Sequence, residues 1–263
     1  MKLGVTKETP ADARSATLAP WAIPRLTHGF MSRAGGVSIG SYATLNLAEA
    51  VGDDAAAVRA NWDRFRAAYP GMRVARLTQV HGNAVLAVDA DYDGARREGD
   101  GIVSATAGIA AAIFTADCVP ILMVDEQARV VAALHAGWRG TIAGIAGEGV
   151  RAMAAIGARS QTIRAAMGPS IGPCCFEVDA ELADRFSHTI PHAHRHTRAG
   201  RPGKACLDLR GIIRGQLERE GLDPAAITSV GPCTRCANHA YFSRRAAGGA
   251  VTGLQMSFIG FEE

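Results

Sequence analysis

The chain has 263 residues, enough for one large domain or two small ones. Hydrophobic residues make up 48% and charged residues 20%, a balance that provides a sizeable core and excludes wholesale disorder. A net charge of only +3 and an aromatic content of 6% argue against a nucleic-acid partner.

The first residues of the chain have no apolar region of the kind found in signal peptides. No run approaches the roughly 20 apolar residues that span a bilayer. We therefore expect a cytoplasmic protein without a membrane partner, and a monomer is the simplest expectation for its oligomeric state.

A loose segment is expected at residues 1–20, which are polar, ahead of a single domain at 21–263. A strand is predicted at 25–33 and leads into a glycine-rich turn. Gly52-Asp53-Asp54 is expected to open a helix, because aspartate is a good cap and apolar residues then recur at helical spacing until Pro70-Gly71 ends the pattern.

Strands and helices alternate through the rest of the chain. Further strands are predicted at 73–81, 84–88, 101–103, 110–114, 121–124, 130–134, 163–167, 227–230 and 254–258, and helices at 141–156, 179–186 and 207–220. The segment 187–204, rich in histidine, arginine and proline, is expected to be a surface excursion. The alternation predicts a mixed α/β fold in which helices cover the faces of the sheets.

Three apolar runs each end in a residue that can bind a metal, namely His81, Cys118 and His135. Strand ends are where sheet proteins place ligands and catalytic groups. Two histidines and one cysteine supply three ligands and leave a fourth position open, as in a catalytic zinc site. The alternative is three unrelated residues, with the thiol packed in the core and each histidine satisfied there.

Two neighbours of these residues can take part in the same chemistry. Asp117 precedes Cys118 and can orient a ligand or carry a proton, although a turn aspartate often binds its own backbone instead. Arg139 lies just before Thr141, which can cap a helix, and a helix N-terminus with an arginine favours an anion. The alternative for Arg139 is a solvated side chain.

The remaining cysteines and histidines give weaker signals. Cys233-Thr-Arg-Cys236 can be a redox dithiol or half of a zinc site, but neither a deaminase His-x-Glu nor a thioredoxin-like context accompanies it. Adjacent Cys174 and Cys175 would form a strained disulfide with each other. His192-Ala-His-Arg-His196 is flanked by proline and is expected in an exposed loop rather than at a metal.

Four blocks in order resemble the signature blocks of the YfiH family. They are Thr78-Gln-Val-His-Gly82, Thr115-Ala-Asp-Cys-Val-Pro120, His135-Ala-Gly-Trp-Arg-Gly140 and Gly168-Pro-Ser-Ile-Gly-Pro-Cys-Cys-Phe-Glu-Val178. The resemblance runs from about His28 to the last strand and includes Arg33-Ala-Gly-Gly-Val-Ser and Thr44-Leu-Asn-Leu47. Members of the family have been described as multicopper polyphenol oxidases (laccase-domain proteins) and as purine nucleoside phosphorylases.

The resemblance implies a compact four-layer α/β/β/α domain with a metal bound by His81, Cys118 and His135. It also implies substrate or phosphate contacts at Arg33, Asn46, Gln79, Arg139 and Arg245. Near the C-terminus the family has Phe-Ser-Tyr-Arg-Arg and then Thr-Gly-Arg. This chain has Phe242-Ser-Arg-Arg-Ala246 and Thr252-Gly-Leu254, so its arginines there are fewer or shifted.

The activity implied by the resemblance is phosphorolysis of adenosine, inosine, guanosine and methylthioadenosine to the free base and a pentose 1-phosphate, with adenosine deamination as a second activity. A zinc ion with an open position suits both reactions, since it can hold phosphate or lower the pKa of bound water. The expected partners are therefore a purine nucleoside and phosphate.

Three other functions compete with this one. A laccase-like oxidase would use copper in the same ligand set, but multicopper sites need more paired histidines than this chain has. A cysteine hydrolase acting on peptidoglycan precursors would use Cys118 as its nucleophile. A non-catalytic partner protein would carry only a structural zinc.

Overall fold

Residues 16–263 are described by a computed structural model of the chain. Its strands, in chain order, are β1 (Ala16–Thr17), β2 (Leu26–Met31), β3 (Arg73–Ala75), β4 (Val85–Ala87), β5 (Gly101–Ser104), β6 (Ile109–Thr115), β7 (Val119–Asp125), β8 (Val130–Ala136), β9 (Ile163–Met167), β10 (Glu177–Asp179), β11 (Thr197–Ala199), β12 (Lys204–Leu207), β13 (Ile227–Ser229) and β14 (Gln255–Phe261). The α-helices are α1 (Ala55–Ala68), α2 (Trp138–Ile142), α3 (Ile145–Ala155), α4 (Ala180–Thr189) and α5 (Leu209–Arg219). Short 3-10 helices occupy Gly40–Tyr42, Glu49–Val51, Ser160–Thr162, Ala193–His196 and Pro224–Ala226.

Two mixed sheets form the centre of the molecule. One has five strands in the order β1-β2-β14-β6-β3, and the other has six in the order β13-β9-β7-β8-β5-β4. A three-stranded sheet has the order β10-β12-β11. Strand β11 lies within the segment 187–204 that was expected to be a surface excursion, whereas β10 precedes that segment and β12 begins at its last residue. The mixed α/β class predicted from the sequence is confirmed.

Alternation along the central strands explains the layers, because successive side chains of a strand point to opposite faces. Ile121 and Met123 of β7 pack into the apolar core beneath α3, α4 and α5, whereas Leu122 and Val124 pack between the two large sheets. A third core joins α1 to the outer face of the five-stranded sheet. The result is the expected order of helix, sheet, sheet and helix.

Local signals place several elements where the sequence predicts them. Asp54 caps α1, since its carboxylate accepts a hydrogen bond from the Ala57 N–H at 2.8 Å. Asp208 caps α5 in the same way through the Gly211 N–H at 3.1 Å. Strand β9 has the predicted bounds. Within residues 16–263, no helix is both long and apolar enough to cross a bilayer.

Two local predictions are wrong. The predicted strand 73–81 stops at Ala75. Thr78 then forms an isolated β-bridge with Glu98, and the N–H groups of residues 80–82 bind the side chain of Asp100. The predicted helix cap at Thr141 is also wrong. Helix α2 begins at Trp138, with Gly137 as its cap, and the Thr141 hydroxyl donates back to the Gly137 carbonyl at 2.9 Å.

The expected loose segment at 1–20 falls mostly on residues 1–15, which lie outside the described residues. Its last part is ordered into strand β1, where Ala16 pairs with Met31 and Thr17 with Phe30.

Candidate metal centre and substrate pocket

Three potential metal ligands meet at one edge of the six-stranded sheet. The ligand atoms of His81, Cys118 and His135 all lie within 4.8 Å of one another. Cys118 directly precedes β7, and His135 sits in β8 opposite Pro120, so the antiparallel pairing brings the thiol and the imidazole together. His81 arrives from the loop after β3. These three residues form a ligand set that can hold a zinc ion and leave one position open.

A buried carboxylate that sequence reasoning missed organises this cluster. Asp100 is fully buried and accepts hydrogen bonds from the N–H groups of Val80, His81 and Gly82 at 3.2, 3.0 and 2.7 Å. The same carboxylate lies 2.7 Å from Nδ1 of His135. One side chain therefore shapes the His81 loop and fixes the orientation of the second histidine.

This contact also decides which nitrogen of His135 faces the cluster. With Nδ1 bound to Asp100, Nε2 is the atom left to bind a metal, in the manner of the carboxylate–histidine pairs that support zinc. Gly137 lies against the ligands, and a Cβ added there would come within 3.1 Å of Cys118 Sγ and 3.9 Å of His135 Nε2. The absence of a side chain at residue 137 keeps this space free.

The electrostatics of the three ligands favour a thiolate. Burial alone would raise the pKa of Cys118, but the charges and hydrogen bonds of His135 and His81 outweigh it and bring the pKa to about 6. Burial would lower the pKa of His135, yet the Cys118 thiolate and Asp100 raise it to about 9. A thiolate is the form of cysteine that binds metals.

A cavity of about 320 Å³ opens over the cluster, and this volume lies within the range of small-molecule sites. His81, Cys118 and His135 are among its lining residues. Its apolar wall consists of Leu47, Leu77, Phe114, Val251 and Leu254 together with small residues. Three charged side chains also border the cavity, namely those of Arg96, Arg244 and Glu49.

Two further polar groups of the cavity bear on ligand binding. Thr115 is buried, and its hydroxyl has no hydrogen-bond partner among the described residues, although the residue lines the cavity. Such an orphaned hydroxyl is available to a ligand. Arg96 is partly engaged, since it forms an ion pair with Glu49, which Arg76 also contacts at 2.9 Å.

Of the five residues predicted to contact substrate or phosphate, one lines the cavity and four do not. Gln79 lines the cavity, with both ends of its amide bound to the Phe114 backbone at 2.8 and 2.7 Å. Asn46 is fully buried, and its amide is used by Ala48, Asp53 and Leu254. Asn46 is not among the lining residues, and its hydrogen bonds connect it to Leu254, which does line the cavity.

Two of the predicted arginines, Arg33 and Arg139, are not among the residues that line the cavity. Arg33 donates to the Asn238 carbonyl at 2.8 Å and to the Ala43 carbonyl, and its guanidinium stacks on Phe242. Arg139 is exposed and stacks on the Trp138 ring, 4.2 Å from its centroid.

The adjacent residues Arg244 and Arg245 have different surroundings. Arg245 donates through Nη1 to the carbonyls of Cys175 and Glu177, each at 3.0 Å, whereas Arg244 lines the cavity. The arginine that reaches the cavity is thus the neighbour of the predicted one.

Asp117 does not face the metal ligands. Its carboxylate accepts hydrogen bonds from the Thr234 hydroxyl and from the Arg245 N–H, both at 2.7 Å. Its φ of 91° places it in the left-handed region, which turns the chain sharply before Cys118. The geometry gives Asp117 a positioning role and gives the support of His135 to Asp100.

Comparison with known proteins places the chain in a family. The family model described as multi-copper polyphenol oxidoreductase laccase matches residues 27–262. A purine nucleoside phosphorylase of Mycobacterium tuberculosis (strain H37Rv) is 40% identical over 88% of this chain and 90% of its own length. The adenosine deaminase RL5, from an unknown prokaryotic organism, is 37% identical over 79% of this chain and 84% of its own.

A solved structure shares the fold as well. The crystal structure of YlmD from Geobacillus stearothermophilus superposes with a TM-score of 0.86 at 35% sequence identity. The match covers 93% of this chain and 94% of YlmD. The same Geobacillus protein is named a purine nucleoside phosphorylase.

Proposed function

The chain belongs to the laccase-like YfiH family, and from that membership and the site geometry we propose that it is a zinc-dependent purine nucleoside phosphorylase that also deaminates adenosine. The observation that supports the proposal is that His81, Cys118 and His135 form an open ligand set and line a cavity that Arg96 and Arg244 border. The names of the relatives supply the substrate class.

The donor set fits zinc. Imidazole nitrogen and thiolate sulfur are ordinary zinc ligands, and three protein ligands are the number found in catalytic zinc sites. A zinc ion held there would supply a Lewis acid and would lower the pKa of a bound water toward about 7. Asp100 would hold the Nε2 atom of His135 in place for it.

The cavity wall divides into a charged part and an apolar part that match the two substrates. Arg96 and Arg244 would bind phosphate and stabilise its charge, since guanidinium groups match phosphate geometry. Phe114, Leu77 and Leu254 would receive the flat purine. The free hydroxyl of Thr115 would donate to or accept from the substrate.

In phosphorolysis, a phosphate oxygen forms a bond to the anomeric carbon while the glycosidic C–N bond breaks. The purine leaves with the bonding electron pair and takes up a proton. Holding both reactants in one small cavity contributes to the rate through proximity and orientation. Deamination of adenosine in the same cavity replaces the exocyclic amino group by oxygen from water and releases ammonia.

The test is product analysis with inosine and adenosine, with and without phosphate, on protein whose metal content has been measured. We expect base and pentose 1-phosphate only when phosphate is present, and inosine from adenosine in its absence. His81→Ala should abolish both activities. The surface variant His194→Ala is the matched control and should keep both.

Two results would contradict the proposal. One is base release that persists unchanged in His81→Ala, which identifies a contaminating enzyme. The other is stoichiometric copper together with rapid phenol oxidation. That result would support copper-dependent oxidation of phenols, which is the function named in the description of the family model. In the described part of the chain, the second group of potential ligands consists of cysteines alone, not the histidine-rich cluster of a multicopper oxidase.

A further inference from the structure

Four cysteines that the proposed activity does not use converge at a second place. The tetracysteine cluster consists of Cys174, Cys175, Cys233 and Cys236, whose sulfur atoms all lie within 4.8 Å of one another. The two halves come from segments about sixty residues apart in the chain. None of these thiols is in a disulfide.

The spacing of the sulfur atoms matches a tetrahedral metal. Sγ of Cys236 lies 3.4 Å from that of Cys175 and 3.7 Å from that of Cys174. Four sulfurs placed about 2.3 Å from a zinc ion are separated by roughly 3.8 Å along each edge of the tetrahedron. A disulfide needs sulfurs about 2.05 Å apart, so the observed separations are much closer to the zinc geometry.

The backbone holds the two halves together independently of any ion. Strands β9 and β13 are parallel neighbours, so the loops that follow them leave the sheet at the same edge. The backbones of Ser170 and Cys233 form an isolated parallel β-bridge, and the Thr234 N–H donates to the Ser170 carbonyl at 3.1 Å. The Gly172 N–H donates to Cys233 Sγ at 3.2 Å, a contact common around cysteine sulfur.

The surrounding charges suit four thiolates. A zinc ion with four thiolate ligands carries a net charge of −2, and three arginines lie around this cluster. Arg235 directs its guanidinium at Cys175 Sγ, 3.5 Å away, and Arg245 binds the Cys175 carbonyl at 3.0 Å. Arg210 donates to the carbonyl of Gly231, two residues before Cys233, at 3.2 Å.

We propose that the tetracysteine cluster is a second metal site, a closed structural zinc site that fastens the segment 233–245 to the loop 168–176. Four sulfur ligands complete the zinc coordination, so this site has no open position for chemistry. The fastened segment carries the two groups that hold Asp117, the Thr234 hydroxyl and the Arg245 N–H. The cluster therefore positions the turn that presents Cys118 to the first site.

The experiment counts zinc in the full-length protein, expressed with zinc and purified with reductant, by elemental mass spectrometry. We expect close to two zinc ions per chain in the wild type. Cys233→Ser should retain about one and should unfold at a lower temperature. Cys118→Ala should also retain about one. The matched control is Cys206→Ser, which removes a cysteine outside both clusters and should retain two.

A second measurement keeps the proposal testable if Cys233→Ser does not fold. Cobalt is exchanged into Cys118→Ala, in which the tetracysteine cluster is the remaining site. The thiolate-to-cobalt charge-transfer bands should have the intensity of four sulfur ligands. This readout does not depend on enzymatic activity, so it separates the failure of this proposal from the failure of the proposed function.

Three outcomes would overturn the inference. They are a zinc content in Cys233→Ser equal to that of the wild type, cobalt-loaded Cys118→Ala without charge-transfer bands, and intact-mass evidence that the four thiols form disulfides in protein that holds one zinc ion.

Discussion

Two clusters of potential metal ligands lie along the same edge of one sheet. They differ in whether their ligands would leave a coordination position of the metal open. The His81–Cys118–His135 cluster has three ligands, mixes nitrogen with sulfur and lines a cavity. The tetracysteine cluster has four sulfur ligands and is surrounded by arginines. Ligand number therefore separates a site suited to chemistry from one suited to holding the chain.

The two clusters are joined by Asp117. Its carboxylate is held by the segment that follows Cys233, and the next residue, Cys118, belongs to the other cluster. A metal ion in the tetracysteine cluster would therefore order the turn that carries Cys118 without contacting the substrate.

Breaking each cluster at one cysteine should give the largest and most different effects. Cys118→Ala should lower the turnover of inosine at least about a thousandfold, equivalent to about 4 kcal/mol, because an open metal site with two ligands no longer supports the reaction. Cys233→Ala should mainly lower the melting temperature. Equal losses of activity and stability in both variants would contradict the assignment of one cluster to catalysis and the other to structure.

The next largest effect concerns the buried carboxylate of the first cluster. Asp100→Asn should weaken zinc binding at that site by roughly 10- to 100-fold, since the amide is a poorer partner for His135 Nδ1. Competition with a chelator of known zinc affinity measures this loss. Asp91→Asn, on the exposed loop before it, is the control and should bind zinc as the wild type does. An unchanged zinc affinity in Asp100→Asn would show that Asp100 does not support zinc binding at this site.

A smaller effect should separate the two adjacent arginines. Arg244→Gln should raise the KM for phosphate about tenfold or more, because hydrogen bonds to charged groups contribute about 1.5–3 kcal/mol. Arg245→Gln should leave that KM nearly unchanged and lower the melting temperature, since its side chain binds carbonyls beside the tetracysteine cluster. A raised KM for phosphate in Arg245→Gln but not in Arg244→Gln would instead support Arg245, the residue predicted from the sequence, as the phosphate contact.

The smallest effect should come from the link between the clusters. Thr234→Val removes the hydrogen bond to Asp117 while keeping the volume of the side chain, and should cost about 0.5–1.5 kcal/mol of unfolding free energy. Denaturant titration measures this cost. The variant should keep both zinc ions, so a loss of zinc would show that Thr234 supports a ligand rather than the turn.

Much of the architecture was accessible from local sequence. The runs 110–114, 121–124 and 130–134 are apolar at consecutive positions, which indicates strands buried on both faces, and β6, β7 and β8 are central strands of the two packed sheets. Asp54 marks the start of α1 because a cap is a local hydrogen bond. His81, Cys118 and His135 were recognisable because residue type and family motifs mark them.

The partners of those residues were decided by strand pairing. Asp100 ends a loop of mixed charge, and only the pairing of β5 with β8 places it beside His135. Which of Arg244 and Arg245 reaches the cavity depends on a turn whose register the sequence does not show. The parallel pairing of β9 with β13 likewise brings Cys174 and Cys175 to Cys233 and Cys236.

Local patterns were enough to predict the mixed α/β class, the central strands and the start of α1, because each depends on neighbouring residues or on the period of a strand. The three candidate ligands were marked by residue type and by the family motifs. Which carboxylate supports His135, which arginine lines the cavity and how four distant thiols meet became visible in the tertiary structure. Those contacts depend on the pairing and register of strands far apart in the chain, and hydrophobic periodicity specifies the face of a strand but not its neighbour.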